Sequence, residues 1–448
     1  MNKDTFCIVP WSSVTISPTG DFRICCFSGN NISPRDNVNG VPVSKNDQGV
    51  PTDAAGENLN ILTHSLADAL NSDLHKEIRL SQLKNEKHPS CHVCWIRDAA
   101  AKQTGTNSNS MRVARSFRQF PSYDINNTNV KVENAEFNIE ESGKISKPIL
   151  SLDIRFSNLC NMKCIMCSPS YSNLWYEDWI ELNKTKDFTL GLKRFSIIEK
   201  NEHNKTTNMP NWYDTQIWWD QFDLIKGGLV HLYITGGEPF LVPAHDKMLD
   251  ILIESDLAKN ITLEYDTNLS VINNKILDRL KSFKKVNLRI SCDDTKERYE
   301  LIRFPGKFQR LVDNLQTLKD RNLNNVDVNC IAACIGIHSI FAPLRLHSFF
   351  GPLGYKINTR ILEYPLEYEI TFLSARIKQK ILDIYAKTTV PPYVGSLIVG
   401  HLGRTLNFHT EEESILQINA FKRRMDKLDE LRKTNWRETF PEIVGLIE

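Results

Sequence analysis

The chain has no apolar run approaching the roughly 20 residues that a helix needs to span a bilayer. It has no excess of charge of either sign. Against 55 Lys and Arg stand 54 Asp and Glu, a formal net charge of +1, so nothing electrostatic points to nucleic acid or an anionic membrane as partner. The first residues, MNKDTFCIVPWSS, lack a secretory apolar segment ending in small residues. Internal repeats and long low-complexity tracts are missing too. What remains is an ordinary globular composition, 41% hydrophobic and 24% charged, long enough for about two or three domains. Cysteine is not scarce. Eleven cysteines in a chain expected in a reducing cytoplasm favour metal ligation over disulfides.

The most informative stretch runs from Pro148 to Trp175. Ile149, Leu150, Leu152, Ile154 and Phe156 form an apolar, alternating run that reads as a buried strand. A loop then presents Cys160, Cys164 and Cys167, spaced C-x3-C-x2-C with no fourth cysteine close by. Three thiolates can hold three corners of a cubane iron–sulfur cluster, whereas a closed cluster site usually has four ligands. The missing ligand leaves one iron open to an external group. A zinc knuckle or plain core cysteines are the competing readings, but zinc usually takes two close pairs of ligands.

At these residues the chain resembles the radical S-adenosylmethionine (radical SAM) superfamily, whose cluster loop is C-x3-C-x-aromatic-C. Met166 stands where the family has an aromatic, and its polarizable thioether is suited to covering a cluster or an adenine. The resemblance implies a 4Fe–4S cluster whose open iron is chelated by SAM. It also implies reductive cleavage of SAM to a 5′-deoxyadenosyl radical that abstracts hydrogen from a substrate.

A second cysteine set lies in residues 1–97. After Cys7, the segment SSVTISPTGDFRICC, which ends in Cys25 and Cys26, reads as two strands joined by a Pro18-Thr19-Gly20-Asp21 turn, so the hairpin should bring Cys7 and Cys25 together. Leu62, Leu66, Leu70 and Leu74 then recur at helical spacing, ahead of Cys91-His92-Val93-Cys94. A C-x2-C turn suits zinc or iron–sulfur equally. The whole pattern is similar to the SPASM/twitch module of radical SAM enzymes. That similarity implies a second, auxiliary 4Fe–4S cluster on Cys7, Cys25, Cys91 and Cys94, with Cys26 an alternative to Cys25. In the family the module usually follows the barrel; here it precedes it.

Residues 98–147 are polar and read as a linker. From 148 to 365, six apolar strands alternate with amphipathic segments, the pattern of parallel α/β architecture. With the resemblance, this gives a partial (β/α)6 TIM-like radical SAM barrel preceded by a small β-hairpin/helix iron–sulfur module. The second strand ends in Gly236-Gly237-Glu238-Pro239, a family hallmark that implies reception of the SAM amino group. Asn268 ends the third strand, Ser291 the fourth, and Arg303 follows twelve residues later. By resemblance these are SAM contacts: Ser291 at the ribose and Arg303 at the carboxylate, which a guanidinium binds bidentately. Cys292 and Asp294 replace the family's apolar residue and glycine at this turn. Five tryptophans between 168 and 228 read as packing more than as a pocket, and Cys330 and Cys334 as core. Residues 366–448 read as helical, with a basic closing helix whose charged face is expected in solvent.

The expected function is SAM-cleaving radical chemistry that abstracts hydrogen from a peptide or protein side chain, with the auxiliary cluster relaying an electron. An external donor such as flavodoxin or ferredoxin would supply the first electron. The alternatives are a radical SAM enzyme for a small molecule and a non-catalytic iron–sulfur or zinc protein that binds a partner.

Overall fold

The structure is a computed structural model that describes residues 5–26, 50–104, 139–146, 148–184 and 209–448. Its strands are β1 (Ser13–Ile16), β2 (Phe22–Arg23), β3 (Ser151–Ile154), β4 (His231–Ile234), β5 (Thr262–Thr267), β6 (Lys285–Ser291), β7 (Val326–Ile335) and β8 (Ile357–Ile361). They form one eight-stranded sheet in the order β2-β1-β3-β4-β5-β6-β7-β8, parallel throughout except for β2. With the intervening helices, β3 to β8 make the α/β partial barrel expected from the sequence.

Register explains how one sheet has two unlike faces. Val14, Leu152, Leu232, Leu263 and Val286 are paired across neighbouring strands, as are Ile16, Ile154, Ile234, Tyr265 and Leu288. Because side chains alternate along a strand, these rows share a face, and every member is buried. Helices Pro243–Glu254, Phe308–Arg321 and Ala342–Phe350 cover it with Leu249, Leu311 and Leu346. The opposite face is polar: Thr15, Asp153, Tyr233, Glu264 and Asn287 form one row. Asp266, Arg289 and Cys330 form part of the next, after a register shift at Leu288/Arg289. Cys330 is buried and Cys334 packs against the core, as expected, at strand positions opposite Arg289 and Arg360.

The hairpin β1–β2 turns at Gly20, whose φ of +84° favours glycine. Its first strand lies parallel beside β3, from Ser13↔Ser151 to Ile16↔Ile154. The N-terminal module thus continues the barrel sheet and satisfies the backbone groups along the free side of β3. A helical turn, Val9–Ser12, separates Cys7 from β1. The leucine-spaced segment is broken into helices Leu66–Leu70 and Asp73–Leu83, because Ser65 and Ser72 each cap a new start. Of the expected linker, residues 105–138 lie outside the described residues. Residues 139–146 return to the module, where Gly143 O accepts from Arg79 Nε at 2.7 Å and Ile145 N donates to Asn71 Oδ1 at 3.0 Å.

All five tryptophans of the long excursion are buried. Phe156 stacks on Trp212 at 5.8 Å, and Trp212 Nε1 donates to Pro18 O at 3.1 Å, so this segment packs between barrel and hairpin. Residues 185–208 lie outside the described residues. The closing helix Glu411–Arg432 departs from expectation: Arg424 and Arg432 are buried rather than solvated, because each stacks near Trp175 and faces a carboxylate. Among the described residues, no helix is long and apolar enough to cross a membrane.

Candidate iron–sulfur and SAM site

The loop after β3 is fixed from several directions. Lys163 N and Ile165 N donate to Phe304 O and Ile302 O at 2.7 and 2.8 Å, tying it to the segment after helix Lys296–Ile302. Trp175 Nε1 donates to Cys164 O at 2.9 Å, Cys160 N to Asn173 Oδ1 at 3.1 Å, and Ser172 Oγ to Met162 O at 2.6 Å. Cys160, Cys164 and Cys167 are each half-buried, and Met166 packs against the core. Burial, and after it the nearby Cys164 sulfur, pushes the Cys160 thiol up to about 12. Cys164 and Cys167 are also raised, chiefly by burial. Thiols so placed hold their protons at neutral pH, and iron would displace them. The donor set fits an iron–sulfur cluster.

The other expected site residues gather at the same strand ends. Gly236 has φ +124°, and a Cβ on Gly237 would stand 2.1 Å from Leu159 O. The glycines are therefore needed first for backbone packing of this turn against the cluster loop. Glu238 is buried and braces the rim: its Oε1 accepts from Thr267 Oγ1 at 2.7 Å, its Oε2 from Asn268 N at 2.8 Å. Burial lifts its carboxyl to about 7, although these donors pull it down. Asn268 Nδ2 donates to Asn161 Oδ1 at 3.1 Å and lies 4.0 Å from Cys160 Sγ. Ser291 ends β6 at this rim, opposite Ala332 on the polar face.

Arg303 reaches the loop from the other side. Its Nη1 is 3.8 Å from Cys164 Sγ, its Nη2 pairs with the buried Asp293 at 2.8 Å, and its Nε is buried without a partner. Asp293 was not foreseen from the sequence; the only signal was an acidic pair at a turn. Asp294, in the place of the family's glycine, accepts from Arg345 Nε at 2.8 Å. Arg345 and Arg298 both pair with Glu442, at 3.1 and 2.8 Å, so this turn docks the C-terminal segment.

Below the rim, the polar face is laced by hydrogen bonds and charged contacts. Tyr233 Oη donates to Asp266 Oδ2 at 2.6 Å, and Arg289 Nε meets Asp266 Oδ1 at 3.2 Å. Arg155 pairs with Asp153 at 3.2 Å, and His231 with Glu264 at 3.3 Å.

The N-terminal cysteines stand on packed elements. Cys7 N and Trp11 Nε1 both donate to Gln82 Oε1, at 3.3 and 2.8 Å, and Arg79 Nη1 donates to Pro10 O at 2.7 Å. Cys91 closes a helical turn on His88, and Cys94 lies in the first turn of helix His92–Thr104. Cys7 and Cys25 pack against the core, whereas Cys26 is within electrostatic reach of Arg155 and Tyr233. Among the described residues, no three His, Cys, Asp or Glu converge as ligands of a single metal ion.

Comparison with known proteins agrees with this geometry. Residues 154–338 match the radical SAM superfamily model, and residues 7–95 match the iron-sulfur cluster-binding SPASM domain. No curated protein matches. Among solved structures, native anSMEcpe with bound AdoMet is 17% identical, with a TM-score of 0.36 over 55% of this chain and 62% of that one. Streptococcus suis SuiB bound to precursor peptide SuiA is 14% identical, with a TM-score of 0.34 over 68% and 60% of the respective chains. The chain thus spans about three-fifths of the length of these structures. The two matched domains imply iron–sulfur clusters and SAM. Residues 154–338 thus belong to the radical SAM superfamily and are preceded by a SPASM domain over residues 7–95.

Proposed function

We propose that the protein cleaves SAM reductively on a 4Fe–4S cluster held by Cys160, Cys164 and Cys167 and modifies a peptide or protein side chain held against the polar face of the barrel. The observation that carries this reading is the meeting of the three-thiol loop with Asn268 and Arg303 at one rim, 4.0 Å from Cys160 and 3.8 Å from Cys164. When bound, the cluster supplies the electron that breaks a sulfonium C–S bond. The chain's own residues orient and enclose. Gly236, Gly237 and Glu238 shape the edge for the SAM amino group, with Glu238 bracing Asn268. Arg303 offers its unpartnered Nε to the carboxylate, and Ser291 its hydroxyl to the ribose. The ion pairs of the polar face favour a polar substrate, and the SPASM module's resemblance favours a peptide over a small molecule.

An auxiliary 4Fe–4S cluster on Cys7, Cys25, Cys91 and Cys94 would relay the substrate electron. Cys25 is preferred over Cys26 because it packs with Cys7 against the core. The reading divides the chain into an auxiliary module (1–97), linker (98–147), barrel (148–365) and helical region (366–448), in a cytoplasmic enzyme reduced by flavodoxin or ferredoxin. Anaerobic reconstitution tests it. About eight irons per chain and 5′-deoxyadenosine on addition of SAM and dithionite are expected. Changing Cys160, Cys164 and Cys167 to Ala should abolish that product and halve the iron; wild-type product from this variant would refute the assignment. Four irons and one zinc would make the N-terminal site structural.

A further inference from the structure

The closing helix Glu411–Arg432 delivers its last residue to the back of the cluster loop. Arg432 has 1% of its side chain exposed, and its Nε pairs with Asp178 Oδ2 at 2.8 Å. Lys163, inside the loop, pairs with the other oxygen of the same carboxylate at 2.7 Å, with side-chain exposures of 17% for Lys163 and 5% for Asp178. Two cations thus share one anion, leaving the Lys163–Asp178–Arg432 triad with a surplus of one positive charge. The other buried cations around the loop are paired one to one: Arg303 with Asp293 at 2.8 Å and Arg424 with Glu367 at 3.5 Å. The Arg432 guanidinium lies 4.8 Å from the Trp175 ring centre, and Trp175 Nε1 donates to Cys164 O at 2.9 Å. Both Nη atoms of Arg432 are buried without a hydrogen-bond partner.

The helix end is built to hold this residue. Asp429 Oδ2 accepts from Trp436 N at 2.7 Å, and Lys433 takes φ +55° to end the helix. The sequence Leu428-Asp429-Glu430-Leu431-Arg432 therefore assigns two tasks, with Asp429 turning the chain and Arg432 filling the space beside Trp175.

A buried unbalanced cation is costly unless an anion lies near. The loop supplies that anion once its three thiolates carry iron and sulfide. We propose that Arg432 is a positioning residue that sets the reduction potential of the group on Cys160, Cys164 and Cys167, an inference that rests on the functional reading above. Reduction adds negative charge beside the surplus cation, so the Lys163–Asp178–Arg432 triad favours the reduced form.

The sign of the effect can be tested in both directions. In full-length protein carrying Cys91→Ala and Cys94→Ala, the remaining cluster is reconstituted and titrated potentiometrically by EPR without SAM. Arg432→Gln should lower the reduced-to-oxidised ratio at fixed potential about tenfold, about 59 mV for one electron. Asp178→Asn leaves two cations on no anion and should shift the midpoint the other way. Arg432→Lys should restore it. Shifts of the same sign in Arg432→Gln and Asp178→Asn, or no shift, would overturn the inference, since a merely structural role moves both alike. Should Arg432→Gln fail to load iron, an unchanged or lowered midpoint in Asp178→Asn overturns it alone. Absence of any cluster in the parent protein would instead overturn the functional reading.

Discussion

At the residue scale, Gly237 is the tightest fit of the candidate site. A Cβ there would lie 2.1 Å from Leu159 O, 2.7 Å from Leu159 C and 2.9 Å from Asn158 C, all backbone atoms. Backbone cannot swing aside as a side chain can, so Gly237→Ala should cost about 3 kcal/mol or more and displace the cluster loop. Thermal melts and iron analysis would show both losses together; normal iron loading would contradict this account. Arg303 behaves differently. Removing it alone leaves Asp293 buried and unpaired, a loss of roughly 3–5 kcal/mol. Arg303→Gln should therefore destabilise the fold, whereas Arg303→Gln with Asp293→Asn should recover stability without recovering SAM affinity. Equilibrium binding of SAM to the double variant decides the point, and wild-type affinity would remove Arg303 from the SAM contacts. The sequence made the cysteines, glycines and Arg303 legible because their chemistry depends on residue type and local spacing. The partner of Arg303 was not legible, since Asp293 is recognised only when the turn after β6 brings it under the guanidinium.

At the scale of elements, alternation made the strands visible and also carried a second message. In most parallel sheets both faces are apolar, yet Leu152-Asp153-Ile154, Leu232-Tyr233-Ile234 and Leu288-Arg289-Ile290 alternate. That pattern means that one face of the sheet lines a polar site. What the strand pattern does not contain is pairing between distant elements, and so β1 beside β3 was not foreseen. Nor was the bond from Trp212 to the hairpin, which joins residues 194 apart. Trp212 fills the angle between Phe156 and Trp218, at 5.8 and 5.2 Å, while donating to Pro18 O. Trp212→Phe keeps much of the ring packing but leaves a buried carbonyl unpaired, at a cost of about 1–3 kcal/mol. Protection of the amides of residues 13–23 from hydrogen exchange should fall in this variant. Unchanged protection there would mean that the hairpin is held by β3 alone.

For the whole molecule, the buried His75 and His338 and the half-buried His401 report on three regions at once. Burial, with Arg79 adding to it, pushes His75 of the N-terminal module down to about 3. Burial alone pushes His338, beyond β7, down to about 3, and burial followed by Arg404 and Lys378 takes His401 down to about 4. In the unfolded chain each titrates near 6.5. Their contribution to stability is thus complete above pH 6.5 and is lost as pH falls toward the folded values. Glu238 acts with opposite sign, because its folded carboxyl is raised from 4.5 to about 7, so the native state gains stability as pH falls through that interval. Near pH 5.5 the three imidazoles outweigh it, and these four groups together should cost roughly 2.5 kcal/mol per pH unit. His338 isolates the effect. Both its ring nitrogens are buried without partners, and its ring lies against Tyr368 and Phe440 at 5.1 and 6.3 Å, where barrel meets C-terminal segment. His338→Phe retains an aromatic ring and removes the titration. Its stability advantage over the wild type should widen by about 1.4 kcal/mol for each pH unit below 6.5, read from denaturant melts at pH 7.5, 6 and 5. An advantage independent of pH would show that the imidazole gains a proton in the native state, and with it that the junction opens before the molecule unfolds.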